Sequence, residues 1–126
     1  MSHYKYLIIG GGLAGDGATR GIRELDPEGS IGMISQEQDP PYMRPNLSKG
    51  LWKGRPMEKI WRDTTERNVE MHLGRTVKKL NPANKKVTDD QGNEYTYDKL
   101  LLATGGSPIH LPFGEEGIIY YRDLQD

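Results

Sequence analysis

Apolar residues recur along this chain in rhythms that assign its elements. Tyr6-Leu7-Ile8-Ile9 is apolar on consecutive positions, the pattern of a strand covered on both faces, as in a parallel sheet. From Leu13 to Leu25 the rhythm changes: Ala14, Ala18, Ile22 and Leu25 fall on one helical face while Arg20, Arg23 and Glu24 fall elsewhere, predicting an amphipathic helix packed on a sheet. Gly17 and Gly21 weaken that helix, so packing or a close backbone approach is expected to compensate. Asp16, in the first turn, is expected to face solvent. Asp26-Pro27-Glu28-Gly29 stops the helix, and Ile31 to Ser35 reads as a second short strand that completes a β-α-β unit.

Further along, polar and apolar residues alternate. Val69 to Leu73 alternates as a strand does, with His72 on the face opposite Met71. Thr76 to Leu80, Lys86 to Asp89 and Glu94 to Tyr97 are short strands separated by turn sequences at Asn81-Pro82-Ala83-Asn84 and Asp90-Gln91-Gly92-Asn93, which predicts an antiparallel three-stranded meander. Lys99 to Leu102 then reads as a buried strand ending in the small residues Ala103-Thr104-Gly105-Gly106, so that a backbone can approach a ligand at the carboxyl edge of the sheet. The pattern as a whole is α/β: a parallel sheet with an antiparallel meander.

Between the first strand and the helix lie Gly10, Gly12 and Gly15, the G-x-G-x-x-G spacing of a dinucleotide-binding turn. The first glycine allows the tight turn, the second lets a pyrophosphate come close, and the third lets helix and strand pack together. The helix start offers unpaired N–H groups and about half a positive charge, which suit a phosphate. In such folds an acid at the end of the second strand meets a ribose about 20 residues beyond the glycines. Here the candidates are Gln36 and Glu37, with Glu37 favoured as the acid and Gln36 kept as a contact.

Composition narrows the chemistry. The chain has 126 residues, enough for one domain, residues 1–126. Its 17 basic and 18 acidic residues give a net charge of -1, which does not suggest a nucleic-acid or anionic-membrane surface. With no cysteine there is no disulfide, thiolate metal site or redox dithiol. No stretch reads as a signal peptide or a membrane span, so cytoplasm is the expected location. His3, His72 and His110 lack visible ligand partners and read as surface or loop histidines rather than metal ligands. No residue stands out as an acid-base or nucleophilic catalyst.

The segment from Pro40 to Trp52 contains Pro40, Pro41 and Pro45, which stiffen the backbone around Tyr42 to Arg44. Asn46 is placed to cap a short helix running to Leu51. Arg44 and Lys49 are thereby held on a fixed scaffold. Gly54 to Asn68 reads as a polar connection with a short helix around Asp63 to Arg67, and Trp52 and Trp61 read as loop-packing residues.

Taken together, Gly10 to Gly15, Pro41 to Lys49 and Tyr97 to Gly106 resemble the FAD-binding part of the FAD-dependent pyridine nucleotide-disulfide oxidoreductases. The subgroup most resembled contains ferredoxin and rubredoxin reductases, the flavoprotein part of nitrite reductases, and apoptosis-inducing factor. The resemblance covers nearly the whole chain and implies a Rossmann-like FAD-binding domain. It places Gly10, Gly12, Leu13, Ala14 and Gly15 along the pyrophosphate, Arg44 and Lys49 on FAD with Lys49 towards the reactive flavin edge, the Val77 backbone beside the adenine, and Ala103-Thr104-Gly105 near the flavin and pyrophosphate. Gln36 departs from the acid common in the family.

The function so implied is the FAD-binding part of an NAD(P)H-dependent oxidoreductase, passing electrons through FAD to an acceptor such as ferredoxin, rubredoxin or a similar carrier. Relatives bind NAD(P)H on a second domain. The resemblance therefore implies that this chain works with a missing NAD(P)H-binding half or a partner subunit, with weak or absent flavin retention and no NAD(P)H turnover alone. An NAD(P)-binding dehydrogenase domain and a non-enzymatic flavin-binding module remain the alternatives. No metal, nucleic acid or membrane partner is expected.

Overall fold

The computed structural model describes residues 1–114 and 116–126; Glu115 lies outside the described residues. Among the described residues the strands are β1 (Ser2–Ile9), β2 (Ile31–Ile34), β3 (Val69–His72), β4 (Val77–Asn81), β5 (Lys86–Asp89) and β6 (Glu94–Leu102), with one α-helix, α1 (Leu13–Leu25). Among the described residues these strands form a six-stranded sheet in the order β3-β2-β1-β6-β5-β4. Strand β1 pairs in parallel with β2 and β6, and β2 with β3. The β4–β5 and β5–β6 pairs are antiparallel. This is the parallel sheet with a meander that the apolar rhythm predicts.

Strand β6 joins the two halves. The sequence pattern reads it as separate pieces, Glu94 to Tyr97 and Lys99 to Leu102, but the single residue between them, Asp98, does not break the strand, which runs antiparallel to β5 and then parallel to β1. Its far end is not buried: Leu101 is 42% and Leu102 57% exposed. Leu7, Ile8 and Ile9 on β1 are buried as expected.

The core forms in clusters. Ile8, Ile31, Met33 and Val69 pack under Ala18 and Ile22 of α1. Tyr4, Leu7, Ile9, Ile34, Val87, Tyr95 and Tyr97 make a second cluster that reaches into the meander. A smaller cluster of Tyr42, Leu47 and Ile60, with Leu51, Trp61 and Leu124 against it, fixes the long connection between β2 and β3.

Several local expectations need correcting. Asp16 is 0% exposed, drawn inward by donors described below, so the buried side of α1 runs through Gly15, Asp16 and Thr19. Leu25, at the end of the helix, is 91% exposed. Asn46 caps nothing and instead lies inside a 3-10 turn, Arg44–Leu47, where Pro45 favours a tight turn. The helix expected near Asp63 is a 3-10 turn, Thr64–Arg67. Trp61 packs edge-on against Tyr42 with ring centroids 6.2 Å apart, whereas Trp52 is 79% exposed. His72 is half-buried rather than superficial: its Nε2 lies 2.7 Å from the Tyr4 hydroxyl.

Candidate functional site

The carboxyl ends of β1, β2 and β6 open into a cleft of about 940 Å³, near the upper end of the range for cofactor sites. Gly10 makes its floor. Its φ is +122°, and a Cβ there would stand 1.9 Å from the Ala103 carbonyl oxygen, so only glycine fits. The same turn is pinned on both sides, with Gly10 N donating to Ile34 O (2.9 Å) and Ala103 N donating to Ile9 O (2.8 Å). A Cβ on Gly15 would meet Gly10 O at 2.2 Å, the close helix-to-turn packing expected of the third glycine. Gly12 differs, because a Cβ there meets nothing within 4 Å. Gly12 also starts α1 with no side-chain cap, leaving the first amides of the helix unclaimed by a side chain.

Around this floor stand Gln36, Glu37 and Gln38 after β2, Arg75 to Val77 at the start of β4, and Ala103 to Pro108 after β6. Arg44 closes one side. Its Nη2 pairs with Glu37 Oε1, while Nη1 donates to the Tyr42 hydroxyl at 3.3 Å and to Arg122 O at 3.0 Å. Burial pushes the Tyr42 hydroxyl up to about 12, with the Leu124 N–H acting the other way, so it stays protonated. Arg75 is braced from behind: its Nη1 donates to Asp89 Oδ2 at 3.2 Å, and the Tyr95 hydroxyl donates to that same oxygen at 2.7 Å. The terminal segment folds back to this rim, where Tyr120, Arg122, Asp123, Gln125 and Asp126 join the lining.

The expected site residues Gly10, Gly12, Leu13, Ala14, Gln36, Glu37, Arg44, Val77, Ala103, Thr104 and Gly105 all line this cleft. Gly15 lies just behind the turn, and Lys49 is exposed and outside the lining. Sequence reasoning missed Arg75 and Arg122. Arg75 carried a signal, since it stands two positions before Val77. Arg122 carried none, because only the fold-back of the terminal segment brings it to Arg44.

Behind the glycine turn sits a buried carboxylate. Asp16 Oδ1 accepts from Thr64 Oγ1 at 2.6 Å and Arg67 Nη1 at 2.5 Å, and Oδ2 accepts from Arg62 Nε at 3.0 Å and Arg20 Nε at 3.3 Å. Burial alone would raise its pKa, but the donors from Thr64, Arg62 and Arg67 outweigh burial and hold it below the usual carboxylate range. Asp16 is therefore charged, and its charge is spent on the β2–β3 connection rather than on the cleft.

Comparison with known proteins follows the same outline. The sequence model of the pyridine nucleotide-disulphide oxidoreductase family matches residues 4–126. The ferredoxin reductase subunit of 5,5'-dehydrodivanillate O-demethylase from Sphingobium sp. is 40% identical over 114 residues, covering 84% of this chain and 27% of that protein. The rubredoxin-NAD(+) reductase of Pseudomonas putida is 34% identical over 128 residues, covering 95% of this chain and 33% of that protein. Among solved structures, the covalent putidaredoxin reductase–putidaredoxin complex superposes with a TM-score of 0.79 at 30% identity, covering 89% of this chain and 28% of the matched one. The chain thus spans about a third or less of the length of these relatives.

Proposed function

The chain belongs to the pyridine nucleotide-disulphide oxidoreductase family, whose members are FAD-dependent oxidoreductases using NAD(P)H, and on that premise we propose that its cleft is the FAD site of an electron-transfer flavoprotein. The observation that carries this reading is the open space at Gly12, at the mouth of an uncapped helix, in a cleft that Arg44, Arg75 and Arg122 also line. A diphosphate there would accept backbone N–H bonds and sit in the positive end of the helix dipole. Arg44, on a stiff segment, neutralises the charge that the dipole leaves over. Gln36 and the second oxygen of Glu37 hold ribose hydroxyls, the Val77 backbone meets the adenine, and Ala103-Thr104-Gly105 gives the flavin end room to approach. Lys49 reaches the flavin edge only by swinging in from outside the lining, so its role rests on the family resemblance alone.

Bound flavin supplies hydride acceptance and release of electrons singly or in pairs, chemistry that the side chains here do not offer. The protein's task is to hold, orient and electrostatically tune it. By analogy with relatives named for ferredoxin and rubredoxin, the onward acceptor is a small electron-carrier protein. Because those relatives are about three times as long, donor binding and turnover are proposed to need a nicotinamide-binding part beyond the residues described here.

Equilibrium titration tests this directly, following quenching of FAD fluorescence by the protein, with NADH and NADPH titrated in parallel. Saturable FAD binding on the order of micromolar, without comparable binding of either nicotinamide, supports the reading. Saturable NAD(P)H binding without FAD binding overturns it in favour of a dehydrogenase domain. Sustained NADH oxidation by this chain alone would overturn the need for another part.

A further inference from the structure

The deeply buried Asp16 does not face the cleft, yet it is wired to the segment that carries Arg44. Its Oδ2 accepts from Arg62 Nε at 3.0 Å. The main chain of Arg62 then donates to Pro41 O at 3.0 Å, its Nη1 contacts Met43 Sδ at 3.4 Å, and one residue pair away Met43 N donates to Ile60 O at 2.9 Å across the Tyr42–Trp61 bridge. Arg67 strengthens the joint from the other side, bonding Asp16 Oδ1 with Nη1 and Arg62 O with Nη2 at 2.9 Å. At the helix end, Asp16 N donates to Gly12 O at 3.0 Å, so the carboxylate is anchored one turn from the open glycine.

We propose that Asp16 is a positioning residue: through Arg62 it fixes Pro41–Arg44 against the glycine-turn helix and so sets where the Arg44 guanidinium stands over the cleft. A carboxylate suits this task for a physical reason. Its two oxygens take guanidinium and hydroxyl donors together, and in a buried place such charge-assisted bonds are short, directional and costly to break. The segment from Pro40 to Asn68 has only 3-10 turns and one small apolar cluster of its own. Arg23 of α1 also holds the end of this segment, Nε donating to Arg67 O at 2.7 Å and Nη2 to Asn68 O at 3.1 Å, but those bonds lie at the β3 end, whereas the Asp16–Arg62 bond acts beside Pro41–Arg44. Arg20 and Arg67 share the charge, which leaves Arg62 as the member whose own main chain reaches the Arg44 segment.

The affinity arm of the test rests on the flavin-site reading; the exchange arm does not. Asp16→Asn keeps the side-chain volume and an acceptor for Thr64 while removing the charge, and Arg62→Met removes the same link from the outer side should the first variant fail to fold. Amide hydrogen exchange, read by mass spectrometry, is expected to speed up at Met43 and Arg62 in either variant while β1 stays protected. FAD dissociation constants are expected to rise about tenfold in Asp16→Asn, the size of one charge-assisted bond. The Asp16→Asn/Arg44→Gln double variant should bind no more weakly than Arg44→Gln alone, because Asp16 acts through Arg44. Unchanged exchange at Met43 and Arg62 overturns the proposal, and so do losses that multiply in the double variant. If the unmodified chain binds no FAD, the flavin reading fails and the exchange result alone decides the positioning role.

Discussion

A Cβ placed on Gly10 would stand 1.9 Å from the carbonyl oxygen of Ala103, so the first turn and the end of β6 are closed against each other through backbone alone. Gly10→Ala must therefore push β6 away or abandon a φ of +122°, and it is expected to destabilise by more than ~2 kcal/mol. Gly15→Ala, meeting Gly10 O at 2.2 Å, should behave similarly. Gly12→Ala meets nothing within 4 Å; its stability should stay within ~1 kcal/mol of the parent while FAD binding is lost, because the methyl would occupy the space proposed for the diphosphate. Denaturant midpoints beside FAD titrations check the contrast, and a strongly destabilised Gly12→Ala would refute it.

Arg44 and Glu37 are paired inside the cleft with side-chain exposures of 28% and 16%. In the proposed flavin site, Arg44→Gln would remove a cation from the diphosphate and leave the Glu37 carboxylate facing it without its partner. FAD affinity is expected to fall about tenfold or more. The parent's affinity should weaken as salt rises from low to physiological ionic strength, and the variant's should weaken less. Equal salt dependence in both proteins would place the ligand away from Arg44.

Acid should unfold the protein in stages. His72 titrates first: burial lowers its pKa below 6.5, with Glu70 and Asp89 opposing and Arg75 assisting. The unfolded chain then binds the proton more readily, and stability begins to fall as pH drops below about 6.5. Asp16 and Asp89 follow. Burial would raise both, but donors prevail: Thr64, Arg62 and Arg67 at Asp16, and Tyr95, Asn93 and Gln91 at Asp89. Folded values below the unfolded ~3.9 give stability that is complete above that pH and lost as pH falls further. Urea midpoints from pH 8 to 3 should show a shallow decline and then a steep one. His72→Gln should remove the first stage and Asp89→Asn should blunt the second.

Most of the sheet was legible because its strands carry uninterrupted or alternating apolar residues, and the glycine turn because its spacing is a geometric requirement. What escaped was set by long-range polar contacts. Asp16 reads as a solvent-facing acid in a first turn, and nothing near it in sequence announces Arg62, Thr64 and Arg67, more than 40 residues away. Leu101 and Leu102 read as buried because they continue an apolar run, yet burial needs a covering element, and none of the described residues supplies one at that end of β6. Arg122 enters the cleft only through the fold-back that lets Leu124 N reach the Tyr42 hydroxyl at 2.8 Å. Patterning reports which faces are apolar; it is silent about which charges meet.

The glycines inside α1 offer a prediction of opposite sign. The sequence leads one to expect packing or a close backbone approach at Gly17 and Gly21, but both are exposed and a Cβ on either meets nothing within 4 Å. Neither adopts the left-handed backbone that would favour glycine. Their cost to the helix is then uncompensated: an unfolded chain with glycine has more freedom to lose, and alanine gains the full helix preference. Gly17→Ala and Gly21→Ala should each stabilise by about 0.5–1 kcal/mol. The positions lie one turn apart on an exposed face without a shared partner, so their effects should nearly add. Thermal and urea unfolding of the single and double variants measure this. A loss of stability in either single variant would show that α1 is approached there by something other than the residues described here.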